Sequence, residues 1–288
     1  MCAAQPDDKI LGMGTLFLVA TPIGNLEDMS PRAVRMLREA RLIAAEDTRH
    51  TRQLLTHFDI HTPLTSYYEH NKLSKLDAIL AALSQGDVAL VSDAGTPAIN
   101  DPGYELVKAA LEAQHTVSPI PGPSAPIAAL AASGLPTDSF LYLGYLPRKT
   151  SERKTLFAQV GELSHTLIFL ESPHRVLESL TDMELFLGDR PMAAARELTK
   201  IYEQIVRGPI SIVRAHFEKN EPRGEFVLVI GGQTGAGNEE PWTEPELVSA
   251  IKNALLAGRP SKEIAAELAQ KSGWARRTIY KMAMENKD

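Results

Sequence analysis

Residues 88–103 constrain this chain more than any other stretch. Val88 to Val91 is a short apolar run of the kind a strand buried on both faces needs. It breaks at once into Asp93, Ala94, Gly95, Thr96 and Pro97, mostly small residues that let a ligand come close to the backbone. The pattern then predicts a helix capped by Asp101, with Pro102 in the first turn where a missing N–H costs nothing. Strand, small polar loop and capped helix form the unit of an open α/β sheet, in which ligands bind just past the carboxyl ends of strands. A plain turn also uses Gly and Pro, but it needs neither this length nor a carboxylate at its start.

The same alternation runs through the first half. Strands are predicted at 15–20, 42–45, 64–66 and 116–120, with helices between them, the first capped by Ser30 ahead of Pro31. Alternating strands and helices call for a mostly parallel sheet. A helix of small residues opens at Ser124 and breaks at Ser133–Pro136. Beyond it, strands at 140–143, 166–170, 192–197, 201–206 and 226–230 include sequence neighbours, so the second sheet is expected to be mixed. Helices fit near 150–160, 173–187 (Ser172 as cap) and 209–217. The expected organisation is an N-terminal α/β domain at 14–121, a second at 122–232, and a helix-turn-helix-like module at 242–288. In that module Ser261 is read as a cap, and the last helix presents Arg276, Arg277 and Lys281 around Tyr280. The tail holds more Lys and Arg than Asp and Glu, although the whole chain is net −6. That segregation suits a polyanion, and a packed bundle with solvated charges reads equally well.

Several function classes are disfavoured. A single cysteine, Cys2, rules out an intrachain disulfide and a multi-cysteine zinc site, which suits a reducing cytoplasm. No apolar stretch approaches membrane-spanning length, and no signal-peptide pattern opens the sequence, so a cytoplasmic protein is expected. No dinucleotide or Walker fingerprint follows the first strand, and the glycine-rich run from Gly231 to Asn238 leads into Glu239, Glu240 and Pro241 rather than a helix. It reads as a linker. His57 and His61 lack a metal framework, so no metal is expected. Ser124 opens a helix like a hydrolase nucleophile, but Pro126 stands where that motif needs glycine.

Four polar clusters fall at predicted strand ends: Glu46–Arg49, Asp93–Thr96, Glu171–Arg175 and Arg196–Lys200. A basic stretch with Arg148, Lys149, Arg153 and Lys154 follows Phe140, Tyr142 and Tyr145, a combination suited to single-stranded RNA. Structural ion pairs and an exposed helix start account for the same residues. Seven ordered motifs, TPIGNLED at 21–28, EDTR at 46–49, SDAGTPAINDPG at 92–103, PGPSA at 121–125, GYLPRK at 144–149, ESPHR at 171–175 and RELTK at 196–200, resemble one family. It is the bacterial small-subunit ribosomal RNA methyltransferase I group of the tetrapyrrole methylase superfamily. The resemblance covers about residues 14–232, and the tail is similar to that group's helical extension.

The resemblance implies two α/β domains with S-adenosyl-L-methionine in the cleft between them, a homodimer, and methyl transfer to a cytidine ribose 2′-oxygen in 16S rRNA of the small ribosomal subunit. By the same resemblance, Asp93, Ala94, Gly95, Thr96, Ser124 and Ala125 contact the cofactor, with Ile23, Leu170, Ala195 and Phe226 beside them. Relatives with a glycine-rich first loop differ from this chain, which keeps only Gly24 there, so that loop is expected to serve the acceptor more than the cofactor. A ribose hydroxyl is a poor nucleophile at pH 7, so a base or a nearby cation would help. Asp47, Glu197 and Lys200 are the candidates, and Arg49, Arg175 and Arg196 are candidates for flanking phosphates. Two other readings stand beside this one: a tetrapyrrole C-methyltransferase, and a DNA-binding regulator whose α/β part senses a small molecule.

Overall fold

A computed structural model of the chain describes residues 14–68, 72–233 and 242–286. These fall into two compact units, one reaching to Ile230 and the other comprising Val160–His165 with the C-terminal helices. The glycine-rich run read as a linker lies mostly outside the described residues.

The first unit begins with β1 (Thr15–Val19), α1 (Pro31–Glu39), β2 (Leu42–Ala45), α2 (Thr48–His57), β3 (Leu64–Ser66), α3 (Lys72–Leu83), β4 (Val88–Val91), α4 (Tyr104–Glu112) and β5 (Thr116–Ile120). The strands form a parallel sheet in the order β3-β2-β4-β1-β5. Strand periodicity sorts the core: Val19, Ile43, Ala45, Ala89 and Val91 pack with α1 and α2 residues such as Leu37 and Leu55. Leu16, Ala44, Val88 and Leu90 face the other way, onto Ile79, Leu83, Leu106 and Ala110 of α3 and α4. Helices thus cover both faces, and the sheet is doubly wound. The chain leaves β1 and the adjacent β4 toward opposite faces, which makes the gap beyond them a topological switch point.

A second sheet follows α5 (Ala125–Ser133). It contains β6 (Phe140–Tyr145), β7 (Thr166–Glu171), β8 (Pro191–Arg196), β9 (Gln204–Pro209) and β10 (Phe226–Ile230), in the order β6-β7-β10-β8-β9. Only β6 and β7 pair in parallel, so the sheet is mixed. Ala129 and Leu130 of α5 pack on Ile168, Ala193, Ala195, Val227 and Val229. Behind the sheet lie α6 (Thr150–Val160), α7 (Val176–Leu187) and α8 (Ile210–Lys219). Phe157 of α6 meets Phe169 edge-on at 6.0 Å, and Phe217 of α8 meets Phe226 at 5.2 Å.

Four local expectations are corrected. Asp101 does not cap α4; Gly103 takes that position, and Asp101 turns away with Ser92 as its hydrogen-bond partner. α7 starts at Val176 rather than 173, because Ser172–Arg175 forms a turn. Buried Glu171 drives that turn: it accepts from the Ser172 N–H at 2.7 Å and the Ser179 hydroxyl at 2.6 Å, and pairs with Arg175 at 2.7 Å. The strand expected at 201–206 lies at Gln204–Pro209, since β8 and β9 are antiparallel and residues 197–203 reverse the chain. Ser261 is the first residue of its helix, with Pro260 at the cap.

In the second unit, α9 (Glu244–Leu256), α10 (Ser261–Ser272) and α11 (Arg276–Glu285) enclose Leu247, Ile251, Ile264, Leu268 and Ile279. Glu246 accepts from the Thr243 N–H at 2.8 Å, capping α9, and the Trp274 indole donates to the Trp242 carbonyl at 2.6 Å, tying the α10–α11 turn to the start of α9. Among the described residues, no helix is long and apolar enough to cross a membrane.

Candidate functional site at the switch point

Loops leaving β1, β4 and β5 are stitched together just past the strands. Thr21 and Gly95 exchange backbone hydrogen bonds of 2.9 and 3.0 Å, an isolated antiparallel bridge. The Thr21 hydroxyl donates to the Ser92 carbonyl at 3.1 Å, and the Thr96 hydroxyl to the Pro123 carbonyl at 3.3 Å. Gly95 has φ +81°, a conformation glycine adopts without strain.

These loops form one side of a cavity. The other side comes from the second sheet, at the carboxyl ends of β7 and β8, the start of β10, and β6. All ten residues expected around the cofactor line it: Ile23, Asp93, Ala94, Gly95, Thr96, Ser124, Ala125, Leu170, Ala195 and Phe226. Glu197 and Lys200 line it too, paired at 2.9 Å, and that hydrogen bond holds the Glu197 carboxyl below its ordinary range. Gly24 lets the β1 loop pass under this pair, for a Cβ there would lie 2.4 Å from Lys200 Cγ.

Asp47 is not in the wall. It caps α2, accepting from the Arg49 N–H at 2.8 Å, and its carboxylate pairs with the Arg49 guanidinium at 2.7 Å. That pairing holds its carboxyl well below the usual carboxylate range. Arg49 itself is 88% exposed on α2, beside Arg52 and His57 in a shallow depression. Arg148 and Lys149 lie on the surface, Lys149 paired with Glu152 at 3.2 Å. Arg175 is held by Glu171 and donates to the Leu146 carbonyl at 3.2 Å. Arg196 has a buried Nε with no hydrogen-bond partner. Arg276, Arg277 and Lys281 are exposed on α11 in the second unit.

Two residues missed as site candidates, Glu46 and Asp101, stand with the expected Asp93 on the cavity's acidic flank. All three line it, and none of the ion pairs among the described residues involves them. Asp93 accepts from the Asp47 N–H at 3.0 Å, and the Asp93 N–H donates to Glu46 at 3.3 Å. Burial, then the charge of Glu46, pushes the Asp101 carboxyl up to about 6, against the Ser92 hydroxyl that favours its charged form. Burial also raises Glu46, with Asp93 and Asp47 adding to the effect. Tyr142 and Tyr145 were singled out only as rings in a basic context; both line the cavity, and burial pushes Tyr142 up to about 12. In the sequence, Asp101 carries the signature of a helix cap, which masks its place in the cavity.

A doubly wound sheet and a second mixed sheet, meeting around a cavity at strand ends, define the α/β methylase class. Residues 15–213 match the tetrapyrrole (corrin/porphyrin) methylase family. A Synechocystis protein named ribosomal RNA small subunit methyltransferase I is 47% identical over 95% of this chain and 98% of its own. A protein of the same name from Halalkalibacterium halodurans is 47% identical over 96% of this chain and 95% of its own. The crystal structure of uroporphyrin-III C-methyltransferase from Thermus thermophilus complexed with S-adenosyl homocysteine shares the fold, with a TM-score of 0.52 at 20% identity over 76% of this chain and 97% of that one. The chain belongs to the tetrapyrrole methylase family and, within it, to the ribosomal RNA small subunit methyltransferase I family.

Proposed function

We propose that this protein transfers the methyl group of S-adenosyl-L-methionine to a cytidine ribose 2′-oxygen of 16S rRNA, acting on the small ribosomal subunit as a cytoplasmic homodimer. The supporting observation is the cavity at the switch point, where the ten expected cofactor residues converge beside three carboxylates that form no ion pair among the described residues. A ligand bearing a sulfonium and an ammonium fits such a wall, because an incoming positive charge offsets the burial and, after it, the mutual repulsion that raise Glu46 and Asp101. Bound there, S-adenosylmethionine supplies an electrophilic methyl group.

The chain's own residues do the rest. Asp93–Thr96 offers a carboxylate and close backbone approach, Ser124 adds a hydroxyl, and Ile23, Leu170, Ala195 and Phe226 give apolar walls. Much of the acceleration comes from holding acceptor and donor in line. Lys200, kept beside Glu197, stands where it would counter charge developing on the acceptor or grip a phosphate. Arg49, Arg148, Lys149, Arg175 and Arg196 in the first unit, and Arg276, Arg277 and Lys281 in the second, are the proposed RNA contacts. In this reading 14–121 and 122–232 are two domains around the cofactor, and 242–288 grips the substrate.

Labelled S-adenosylmethionine, undermethylated small subunits and nucleoside analysis test the reading. A 2′-O-methylated cytidine is expected, and a base-methylated nucleoside or a methylated tetrapyrrole overturns it. Asp93→Ala and Ser124→Trp should each weaken calorimetric cofactor affinity by about tenfold or more. Unchanged affinity in both places the cofactor elsewhere.

A further inference from the structure

We propose that the outer faces of α1 and α2 hold the backbone phosphates of the RNA flanking the acceptor nucleotide. The inference rests on the methyl-transfer reading and extends it from Arg49 to a surface that adds Arg32, Arg35, Arg38 and Arg52.

Charge comes first. Between Pro31 and His57 the chain has six arginines, no lysine and three acids, within a protein that is net −6. Of those acids, Glu46 faces the cavity and Asp47 is paired with Arg49, which leaves Glu39 alone against the other arginines. Arg32, Arg35 and Arg52 are exposed and make no ion pair among the described residues. Arg38 donates to the Phe58 carbonyl at 2.6 Å and Arg41 to the Gln85 side chain at 2.6 Å, neutral acceptors that leave each guanidinium its charge. Elsewhere in the same unit cations find carboxylates: Arg153 with Asp182, Arg214 with Glu184, Lys108 with Glu112. Cations neutralised on one side and bare on another concentrate positive potential on the bare side.

Geometry supplies the seat. α1 and α2 pack on one face of the first sheet through Leu37 and Leu55, and both follow the carboxyl ends of their strands, the end at which the cavity lies. The Asp47 N–H ahead of α2 donates to the cavity residue Asp93 at 3.0 Å, so Arg49 stands near the rim and Arg52 one turn further on. Arg49, Arg52, Gln53, Thr56 and His57 line a shallow depression along α2; each side chain there can donate a hydrogen bond and none is a carboxylate. Arg32, Arg35 and Arg38 recur along α1 at steps of about 4.5 Å on its axis. Guanidinium forks match phosphate oxygens, and such contacts position a nucleic acid without reading its sequence.

The acidic cavity makes such a surface necessary. Glu46, Asp93 and Asp101 repel phosphate, so a polyanion approaching them has to be held by its backbone outside the wall while the uncharged base and ribose of one nucleotide enter. Cations along two helices, each about 15 Å long or slightly less, suit an extended strand. A ligand confined to the cavity would gain nothing from them.

The test uses the full-length protein, undermethylated small subunits and S-adenosylmethionine. Arg35→Glu with Arg52→Glu should raise KM for the subunits about tenfold or more and leave kcat and calorimetric cofactor affinity within about twofold, with the melting temperature no lower. The log–log salt dependence of subunit binding should become shallower by about one to two. Lys108→Glu with Lys219→Glu makes the same change in net charge from exposed positions on α4 and α8, and should leave KM within about twofold. An arginine variant with unchanged KM, one that loses kcat or cofactor affinity instead, or a lysine variant that raises KM as much, overturns the assignment. Weaker subunit binding with an unchanged salt slope also overturns it, because the face then meets ribosomal protein rather than phosphate. If the unsubstituted protein methylates no ribose in the subunits, the functional reading itself fails, a result separable from any result with the arginine variants.

Discussion

Arg153 sits in the basic stretch that the sequence offers as an RNA contact, yet its side chain is 0% exposed. Its guanidinium donates to Asp182 at 2.6 Å, to the carbonyls of Pro147 and Arg148 at 3.1 and 2.8 Å, to the Thr150 hydroxyl at 2.9 Å, and to Glu178. Replacing it with Met keeps volume and apolar stem but strands the acceptors. Glu178, 58% exposed, regains water at little cost, whereas Asp182, 10% exposed, does not. Removing one partner of a buried pair costs about 3–5 kcal/mol. At about 2–4 °C per kcal/mol for a unit of this size, the melting temperature should fall by roughly 6–20 °C. Scanning calorimetry and urea unfolding of Arg153→Met measure this, and Arg153→Met with Asp182→Leu should recover most of the loss, because the stranded charge is gone. A change below about 1 kcal/mol, or a double variant no more stable than the single, would refute the argument that Arg153 serves the fold.

Three further outcomes are expected. The Asp101 carboxyl is raised from 3.8 to about 6, so its protonated form stabilises the fold fully below pH 3.8 and that contribution is lost as pH rises through 6. Asp101→Asn should match the parent near pH 4 and exceed it at pH 8 by about 1 kcal/mol, after discounting for partial solvent access; urea midpoints at both pH values decide this, and a less stable variant at pH 8 contradicts it. Gly144→Ala meets a φ of +67° and the Asn100 amide together, so it should weaken cofactor affinity, and Asn100→Gly should restore only part because the backbone strain remains. Truncation after Gly237, or Arg276→Glu with Arg277→Glu, should leave cofactor affinity intact and reduce methylation of small subunits, with a shallower salt dependence of RNA binding in the double variant; undiminished methylation by the truncated chain removes the helical module from substrate binding.

The strands were legible where their own residues carried the signal. Val88–Val91, Leu42–Ala45 and Thr116–Ile120 are apolar or β-prone runs bounded by Gly, Pro or charge, and each lies where its pattern puts it. Boundaries shifted where a tertiary contact outbid a local signal. Ser172 and Pro173 look like the start of a helix, but Glu171 needs the Ser172 N–H and the Arg175 guanidinium, which delays α7 to Val176. Asp101 and Pro102 look like a cap, but the loop over Gly144 turns the carboxylate into the cavity. Ile201 and Tyr202 look like strand residues, yet they are 91% and 75% exposed in the turn between β8 and β9.

The site was legible as a set of loops and illegible as a set of charges, for a physical reason. A strand end is marked by its own residues, but whether a charge is paired depends on elements far apart in sequence. The basic residues of the GYLPRK and ESPHR regions invited a reading as free cations; Arg153 and Arg175 instead grip the carbonyls of Leu146, Pro147 and Arg148, and so set the course of the segment just after Tyr145. The acidic residues invited a reading as ion-pair partners, and Asp47 does pair with Arg49. Glu46, Asp93 and Asp101 do not have such a partner among the described ion pairs, and they are the ones facing the cavity. Repulsion and burial make such a trio costly in the free protein, a cost offset only when a cation or a proton arrives. A donor bearing a sulfonium supplies the first. The same wall therefore favours cofactor binding, which is why the acids, rather than the arginines, carry the recognition argued for this cavity.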